Sequence, residues 1–199
     1  MNLKALLCAL VGAFAWTACG HVALADDLDA GRRAAIDRLI EGVVTAAHLP
    51  SLVVLVDQGG QTVYQRAIGH ADLENDVPAT LDSVYGMGSI TKSVTALAIA
   101  QLVEAGRIDL DSPVTKYLPD YTGPGGAATI RQLLTHSSGI PNYTNEIPGI
   151  RTGLERTAYD RRQMVDFFAA RPLNFAPGTM FSYSNSGYYL LGLVIEASS

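Results

Sequence analysis

The 199-residue sequence has few of the residues that build disulfides and metal sites. Its two cysteines, Cys8 and Cys19, both lie within the first 25 residues, so the chain after residue 25 has no thiol. The histidines are far apart and lack the spacing typical of metal ligands; they are His21, His48, His70 and His136. We therefore expect no disulfide, no metal and no cofactor, and a mature fold stabilised by packing.

The sequence also has no excess of positive charge. Its 14 lysines and arginines are outnumbered by 19 aspartates and glutamates, which gives a formal net charge of -5. A basic surface that neutralises phosphates is therefore not expected, and nucleic acid is excluded as a predicted partner. With 48% hydrophobic and 17% charged residues, the composition is that of one compact globular domain.

An apolar run from Ala5 to Trp16 lies near the N-terminus. It is shorter than the roughly 20 residues that a membrane-spanning helix needs, so no stable membrane span is expected. It follows Lys4 and precedes the small-residue ending Ala23-Leu24-Ala25, which is the layout of a secretory signal peptide. We predict that residues 1–25 are this signal peptide and that the mature protein, residues 26–199, is exported to the periplasm or secreted.

A second interpretation of the N-terminal segment places the cleavage earlier. Thr17-Ala18-Cys19 resembles a bacterial lipoprotein box, in which Cys19 would become a lipidated N-terminus. Trp16 stands where that box usually has leucine. The signal-peptide interpretation is therefore favoured over a lipid anchor at Cys19.

The first part of the mature chain shows a helix followed by two strands. Apolar residues recur at steps of three and four over residues 29–47, which predicts an amphipathic helix that covers a sheet. The run Leu52 to Val56 is apolar on both faces, as in a buried strand. Gly59-Gly60 then predicts a turn into a second strand, Thr62 to Ile68.

The remainder of the chain is predicted to be mainly helical. Thr91 to Ala105 is apolar almost all round, which predicts a buried helix. Periodicity and caps predict four further segments: a short helix after Asp111-Ser112-Pro113 that ends near Leu118, helices over 129–135 and 160–170, and a last helix capped by Ser186 after an extended segment, Thr179 to Tyr183.

Only two convincing strands are found, although a buried strand needs neighbours on both sides. An isolated hairpin is marginally stable in water. We therefore expect further strands beyond Ser199, so that residues 26–199 form the N-terminal part of a longer domain.

Ser89-Ile90-Thr91-Lys92 is a Ser-x-x-Lys sequence at the start of the predicted buried helix. A spacing of three puts Ser89 and Lys92 on one helical face, and helical side chains lean toward the N-terminus. A serine hydroxyl is a weak nucleophile unless a neighbouring base takes its proton, and Ser-Lys pairs are one solution. The helix start also supplies N–H groups, including that of Ser89, which suit an oxyanion.

Three further blocks accompany this sequence in a fixed order. They are Leu133-Leu134-Thr135-His136-Ser137-Ser138-Gly139-Ile140, Pro177-Gly178, and Phe181-Ser182-Tyr183-Ser184-Asn185-Ser186-Gly187-Tyr188-Tyr189. With Tyr85-Gly86-Met87-Gly88-Ser89-Ile90-Thr91-Lys92, they resemble successive blocks of the class C β-lactamase and D-alanyl-D-alanine carboxypeptidase family over residues 30–199. The resemblance implies an α/β (α+β) fold of the serine β-lactamase type, in which an antiparallel sheet is flanked by helices and joined by a helical region. The C-terminal strands of that fold would be missing here.

The resemblance also implies two further site residues, because the family's Tyr-x-Asn motif corresponds to Tyr183-Ser184-Asn185. A phenol beside an ammonium loses its proton more easily, so Tyr183 would act as a general base or proton relay. Asn185 would accept a hydrogen bond from Lys92 and donate one to a substrate carbonyl. Tyr143-Thr144-Asn145 has the same pattern, but it lies in a loop and is rejected because the motif requires a rigid position.

His136 invites comparison with a catalytic triad, but it belongs to a block that resembles a structural turn of this family. The family's third motif, Lys-Thr-Gly or His-x-Gly on a late strand, is not present in the 199 residues.

As a whole, the resemblance implies a serine hydrolase that forms an acyl-enzyme on Ser89 with a β-lactam, a D-Ala-D-Ala peptide of peptidoglycan or a small ester. Two alternatives remain, namely a non-catalytic module that binds penicillin or cell wall, and an inactive fragment.

Overall fold

The computed structural model describes residues 28–146 and 158–199, without the side chains of Asn145 and Glu146. The predicted signal peptide, with Cys8 and Cys19, lies outside the described residues. The described chain forms two compact units that meet between Tyr85 and Gly86 in the sequence. Both helices and an antiparallel sheet are present, so the predicted α+β class is confirmed.

The first unit contains helix α1 (Ala30–Ala46) and a three-stranded antiparallel sheet. The strands are β1 (Ser51–Gln58), β2 (Gln61–Asp72) and β3 (Val77–Pro78), in the order β1-β2-β3. Asp29 caps α1 by accepting the N–H of Arg32. The predicted helix and hairpin are thus confirmed, whereas β3 was not predicted because it is two residues long and includes a proline.

Two glycines connect β1 and β2. Gly59 and Gly60 have φ angles of 60° and 81°, the left-handed values that tight hairpin turns require. Polar contacts join helix α1 to the sheet. The Arg66 guanidinium of β2 donates to Asp37 and Glu41 of α1, both at 2.7 Å.

The prediction that Leu52 to Val56 is buried on both faces is wrong, because Leu52 to Val54 are only half-buried and the last two residues are exposed. Leu55 is 56% exposed and Val56 is 37% exposed. In the described residues β1 is an edge strand that pairs with β2 alone, so one neighbour shields it instead of two. That further strands pair with β1 remains a prediction.

The second unit is helical. Its α-helices are α2 (Thr91–Glu104), α3 (Ile130–Leu134), α4 (Tyr143–Glu146), α5 (Arg161–Ala169) and α6 (Asn185–Ser198). The predicted helices over 129–135 and 160–170 correspond to α3 and α5. Thr129 and Asp160 cap them, each in a reciprocal capping box with the glutamine three residues later. No described helix is both long enough and apolar enough to span a bilayer.

The core of this unit is built from side chains of α2, α3, α5, α6 and the loops between them. Its fully buried members are Ile99, Val114, Ile130, Leu133, Phe168, Leu190, Leu191 and Val194. Helix α2 packs against α6, and Ile99 is its one buried side chain. The predicted burial of the whole helix is wrong, because Val94 and Leu97 are 56% and 61% exposed. Helix α6 packs against one stripe of α2, and Val94 and Leu97 lie outside that stripe.

Two predicted caps also differ in the structure. The segment after Asp111 is a single 3-10 turn, Val114–Lys116, and does not reach Leu118 as a helix. The Asp111 carboxylate is held by the Arg131 guanidinium at 2.8 and 3.0 Å, so it does not cap the turn. Ser184 caps α6 by accepting the Gly187 N–H, whereas the predicted cap Ser186 is buried and donates to the Pro141 carbonyl at 2.6 Å.

Candidate active site

Ser89 lies in a 3-10 turn, Gly88–Ile90, that leads directly into α2. Gly88 has a φ of 51°, a left-handed value that favours glycine, so the small residues before Ser89 allow the chain to turn sharply. The turn presents the Ser89 side chain to solvent at the N-terminal end of the helix. Its hydroxyl is therefore accessible to a substrate.

The hydroxyl of Ser89 is in contact with Tyr183, 94 residues later in the chain. Ser89 Oγ and Tyr183 Oη lie 2.6 Å apart, and either atom can be the donor. Tyr183 stands in the irregular segment before α6, which the sequence predicted to be extended and which belongs to no strand in the described residues. The structure thus joins two of the four predicted site residues in one short hydrogen bond.

Lys92 and Asn185, the other two predicted residues, form the second short contact. Lys92 Nζ donates to Asn185 Oδ1 at 2.6 Å. The ammonium also lies 4.8 Å from the centroid of the Tyr183 ring and 5.4 Å from that of Tyr188, within cation–π range. All four predicted residues are therefore brought together, with Lys92 between Asn185 and Tyr183.

These contacts change the acidity of Tyr183. Burial by itself would raise the pKa of the phenol, but hydrogen bonds with Lys92 and Ser89 and the charge of Lys92 together outweigh it. The net result is a pKa below the ordinary value of 10.0. The phenol can therefore give up its proton at a lower pH than a free tyrosine.

The amide group of Asn185 is held by residues that the sequence analysis did not predict to take part. Its Nδ2 donates to Thr144 Oγ1 at 2.9 Å, and its backbone N–H donates to Asn142 Oδ1 at 3.1 Å. The sequence analysis expects the side-chain NH2 group of Asn185 to donate to a substrate carbonyl. One of its two hydrogens is instead donated to Thr144. The rejected Tyr-x-Asn segment supplies Thr144, and the prediction that it lies in a loop is wrong, because it forms the single helical turn α4. The Tyr143 ring packs near Phe168, with centroids 6.4 Å apart.

The sequence contains a local pattern that could have predicted part of the contact between Asn142 and Thr144. Asn142 follows Pro141, and its Oδ1 accepts the N–H of Thr144 two residues later, at 3.4 Å, as in an Asx turn. The turn could have been predicted, but not its contact with a residue 43 positions away.

His136 contacts the segment that carries Tyr183. Its Nδ1 accepts the Ser184 N–H at 3.2 Å, and its carbonyl accepts the Ser182 N–H at 2.9 Å. Its ring packs against the rings of Tyr183 and Tyr188, with centroid distances of 4.5 and 5.0 Å. The structure thus gives His136 contacts with the segment that carries Tyr183, which agrees with its interpretation as a structural residue.

The contacts of His136 predict a pH-dependent stability. Burial, followed by the charge of Lys92, lowers the pKa of His136 below its ordinary value of 6.5. As pH falls below 6.5, the unfolded chain binds a proton that the folded protein resists, so the free energy of unfolding decreases until the lower folded pKa is passed. We expect the wild-type Tm to fall over this range more than that of His136→Asn, measured by circular dichroism.

Asparagine is a suitable replacement because its Oδ1 can accept the Ser184 N–H, it tolerates the φ of 56° at this position and it does not titrate. His48→Asn, at an exposed histidine of the first unit that has a similar φ of 49°, is the control. Equal loss of Tm in wild type and His136→Asn on acidification would contradict the prediction.

An exposed serine in the turn before a helix, bonded to a tyrosine and followed three residues later by a lysine held by an asparagine, is the arrangement typical of Ser-x-x-Lys serine hydrolases. Comparison with known proteins agrees with this class. Residues 36–199 match the family model described as Beta-lactamase. The chain therefore belongs to the beta-lactamase family, and the predicted β-lactamase-like fold is confirmed.

Individual relatives are similar over most of this chain. Esterase EstB of Burkholderia gladioli is 34% identical over 185 residues, which cover 86% of this chain and 47% of that protein. The structure of an octameric penicillin-binding protein homologue from Pyrococcus abyssi is 33% identical, with a TM-score of 0.69, over 86% of this chain and 39% of its own. A D-stereospecific amidohydrolase from Streptomyces sp. is 34% identical, with a TM-score of 0.70, over 84% and 49%. The chain thus spans less than half the length of each.

Proposed function

We propose that the protein is an acyl-transferring serine hydrolase in which Ser89 forms the covalent acyl-enzyme. The observation that carries this proposal is the 2.6 Å contact between Ser89 Oγ and a tyrosine whose pKa is lowered beside Lys92. A hydroxyl in that position is bonded to a base that can accept its proton. The beta-lactamase family to which the chain belongs consists of serine hydrolases, and the arrangement is the one that such chemistry requires.

The proposed reaction begins with Tyr183 in its phenolate form, stabilised by the Lys92 ammonium. Ser89 Oγ attacks the substrate carbonyl carbon while its proton passes to Tyr183 Oη. The Ser89 N–H, in the turn that leads into α2, and the positive end of the helix dipole stabilise the negative charge on the carbonyl oxygen. The tetrahedral intermediate collapses, the proton moves from Tyr183 to the leaving group, and the acyl group stays on Ser89.

Deacylation reverses these roles. Tyr183 takes a proton from a water molecule, which attacks the acyl carbon, and returns the proton to Ser89 Oγ as the acid product leaves. In this scheme the Lys92 ammonium acts as a fixed positive charge beside Tyr183. Asn185 holds the ammonium in place through its Oδ1.

The proposed substrates are a small ester, a D-Ala-D-Ala peptide of peptidoglycan, or a β-lactam. All three present a carbonyl carbon with a leaving group to a serine nucleophile. The names of similar proteins support this range, since they include an esterase, a D-stereospecific amidohydrolase and a penicillin-binding protein homologue. We further propose an exported location, supported by the signal-peptide layout of residues 1–25.

Covalent labelling tests the proposal against its alternatives. The purified protein is treated with a fluorophosphonate and with a fluorescent penicillin, and the modified peptide is identified by mass spectrometry. We expect fluorophosphonate on Ser89 and hydrolysis of a chromogenic ester. A penicillin adduct that persists without any turnover would favour a binding module. A folded protein that takes up neither reagent at Ser89 would overturn the proposal.

The role of Tyr183 leads to a separate prediction. In Tyr183→Phe we expect kcat to fall about 10³-fold, within the usual range for loss of a general base, with KM nearly unchanged. Phenylalanine keeps the ring beside Lys92 and His136, so the fold should be retained. The measurement is steady-state hydrolysis of a chromogenic ester.

Tyr188→Phe is the matched control for Tyr183→Phe. Tyr188 also lies beside Lys92, but its hydroxyl donates to the Leu134 carbonyl at 3.0 Å and not to Ser89. We expect its kcat to stay within about threefold of wild type. A Tyr183→Phe enzyme as active as this control would remove Tyr183 as the base.

A further inference from the structure

The orientation of the Asn142 amide is determined by the backbone around it. Its Oδ1 accepts two backbone N–H groups, that of Asn185 at 3.1 Å and that of Thr144 at 3.4 Å. Backbone N–H groups can only donate, so the atom that faces them must be the oxygen. The Asn142 side chain is 2% exposed, and the two contacts fix it in place.

This assignment determines the direction of the Thr144 hydroxyl. Thr144 Oγ1 lies 3.0 Å from Asn142 Oδ1, an atom that can only accept, so the hydroxyl must donate its one hydrogen there. Toward the side chain of Asn185 the hydroxyl can then only accept, and that side chain donates from Nδ2 at 2.9 Å.

The same reasoning determines which end of the Asn185 amide faces Lys92. Because Nδ2 is directed to Thr144, Oδ1 is directed to Lys92 Nζ, which donates to it at 2.6 Å. A rotated amide would place its NH2 group against the lysine, and two donors would then face each other. It would also set two acceptors, Asn185 Oδ1 and Thr144 Oγ1, against one another.

We propose that Thr144, oriented by Asn142, is a positioning residue that holds Asn185 with its oxygen toward Lys92 and so keeps the lysine beside Tyr183. Thr144 touches none of the reacting atoms and acts through Asn185. The proposal rests on the proposed function, because it assigns a role within the same site. It adds to that site a segment far from the Ser-x-x-Lys and Tyr-x-Asn sequences.

The test compares Thr144→Val with Thr144→Ser. Valine keeps the shape and removes the acceptor, so the Asn185 amide is free to rotate; we expect kcat for a chromogenic ester to fall about tenfold, the effect of one hydrogen bond. KM should stay within about twofold, since the contact does not involve substrate. Serine retains the hydroxyl and should restore kcat.

The pH profile separates positioning from a purely structural role. If Lys92 is held less firmly, the pKa of Tyr183 rises, and the base is deprotonated only at higher pH. The acidic limb of kcat/KM should therefore move to higher pH in Thr144→Val and return in Thr144→Ser. Thr144→Ala provides a second test should the valine variant fail to fold, because its smaller side chain leaves room for water.

Thr115→Val is the control, since the Thr115 hydroxyl donates to the Gly126 carbonyl at 3.1 Å within the same unit. It should leave the pH profile unchanged. A wild-type kcat and pH profile in Thr144→Val, or a Thr144→Ser variant as impaired as Thr144→Val, would overturn the inference. If a fluorophosphonate does not label wild type at Ser89, the proposed function fails as well. If wild type is labelled but the Thr144 variants are unaffected, only this inference fails.

Discussion

Ser89→Ala is expected to lose ester hydrolysis by about 10⁴-fold or more, because removal of a catalytic nucleophile leaves only the contributions of binding and oxyanion stabilisation. Covalent labelling by a fluorophosphonate should disappear altogether, since the atom that forms the bond is absent. The measurements are steady-state kinetics and intact-mass analysis of the protein before and after labelling.

The fold should survive this change. Ser89 is exposed, and its hydroxyl contacts Tyr183 alone among the described residues, so the free energy of unfolding should change by no more than about 1 kcal/mol. Ser93→Ala, at an exposed serine one turn later in α2, is the matched control and should keep full labelling. Turnover above trace level in Ser89→Ala would remove Ser89 as the nucleophile.

Lys92→Arg is expected to lower acylation by about 10³-fold although it conserves the charge. Lys92 Nζ is a compact group that lies 2.6 Å from Asn185 Oδ1 and 4.8 Å from the Tyr183 ring centroid. A guanidinium is planar and wider, so it cannot occupy the same place without displacing Asn185 or Tyr183. The pKa of Tyr183 would then lose the hydrogen bond and the close charge that lower it.

Lys116→Arg is the matched control for this prediction. Lys116 is the one other lysine after residue 25, and its Nζ donates to Ser112 Oγ at 3.0 Å within the same unit. We expect its burst-phase acylation rate to equal that of wild type. If Lys92→Arg acylates at a near-normal rate, the size and shape of the cation do not matter. Lys92 would then serve only as a fixed charge, and its close fit against Asn185 and Tyr183 would not be required.

Secondary structure was predictable where its determinants are local. Asp160 and Thr129 each have a glutamine three residues later, and both form the reciprocal caps that this spacing predicts. The hairpin followed from Gly59-Gly60 in the same way. Ser186 shows the limit of such reasoning, because Ser184 and Ser186 are equivalent in the sequence, and the distant carbonyl of Pro141 binds Ser186 and leaves Ser184 to cap α6.

Burial was predicted less well, because it depends on how many neighbours an element has. The apolar composition of Leu52 to Val56 and of Thr91 to Ala105 indicated burial on every side. In the described residues β1 has one strand beside it, and α2 packs against α6 on one face. Composition states what a segment could bury, whereas neighbouring elements decide how much of it is covered.

In the candidate site, too, some features follow from the sequence and others only from the packing of distant segments. The sequence by itself determined Ser89 and Lys92 as a pair, since a spacing of three on a helix places them on one face, and the family resemblance added Tyr183 and Asn185. Only the tertiary structure decided that Ser89 contacts Tyr183, that Lys92 contacts Asn185, and that Asn142 and Thr144 accept hydrogen bonds from Asn185. Those contacts join residues more than 40 positions apart, and hydrogen bonds at such separations depend on how the loops and helices pack, which no local pattern of residues specifies.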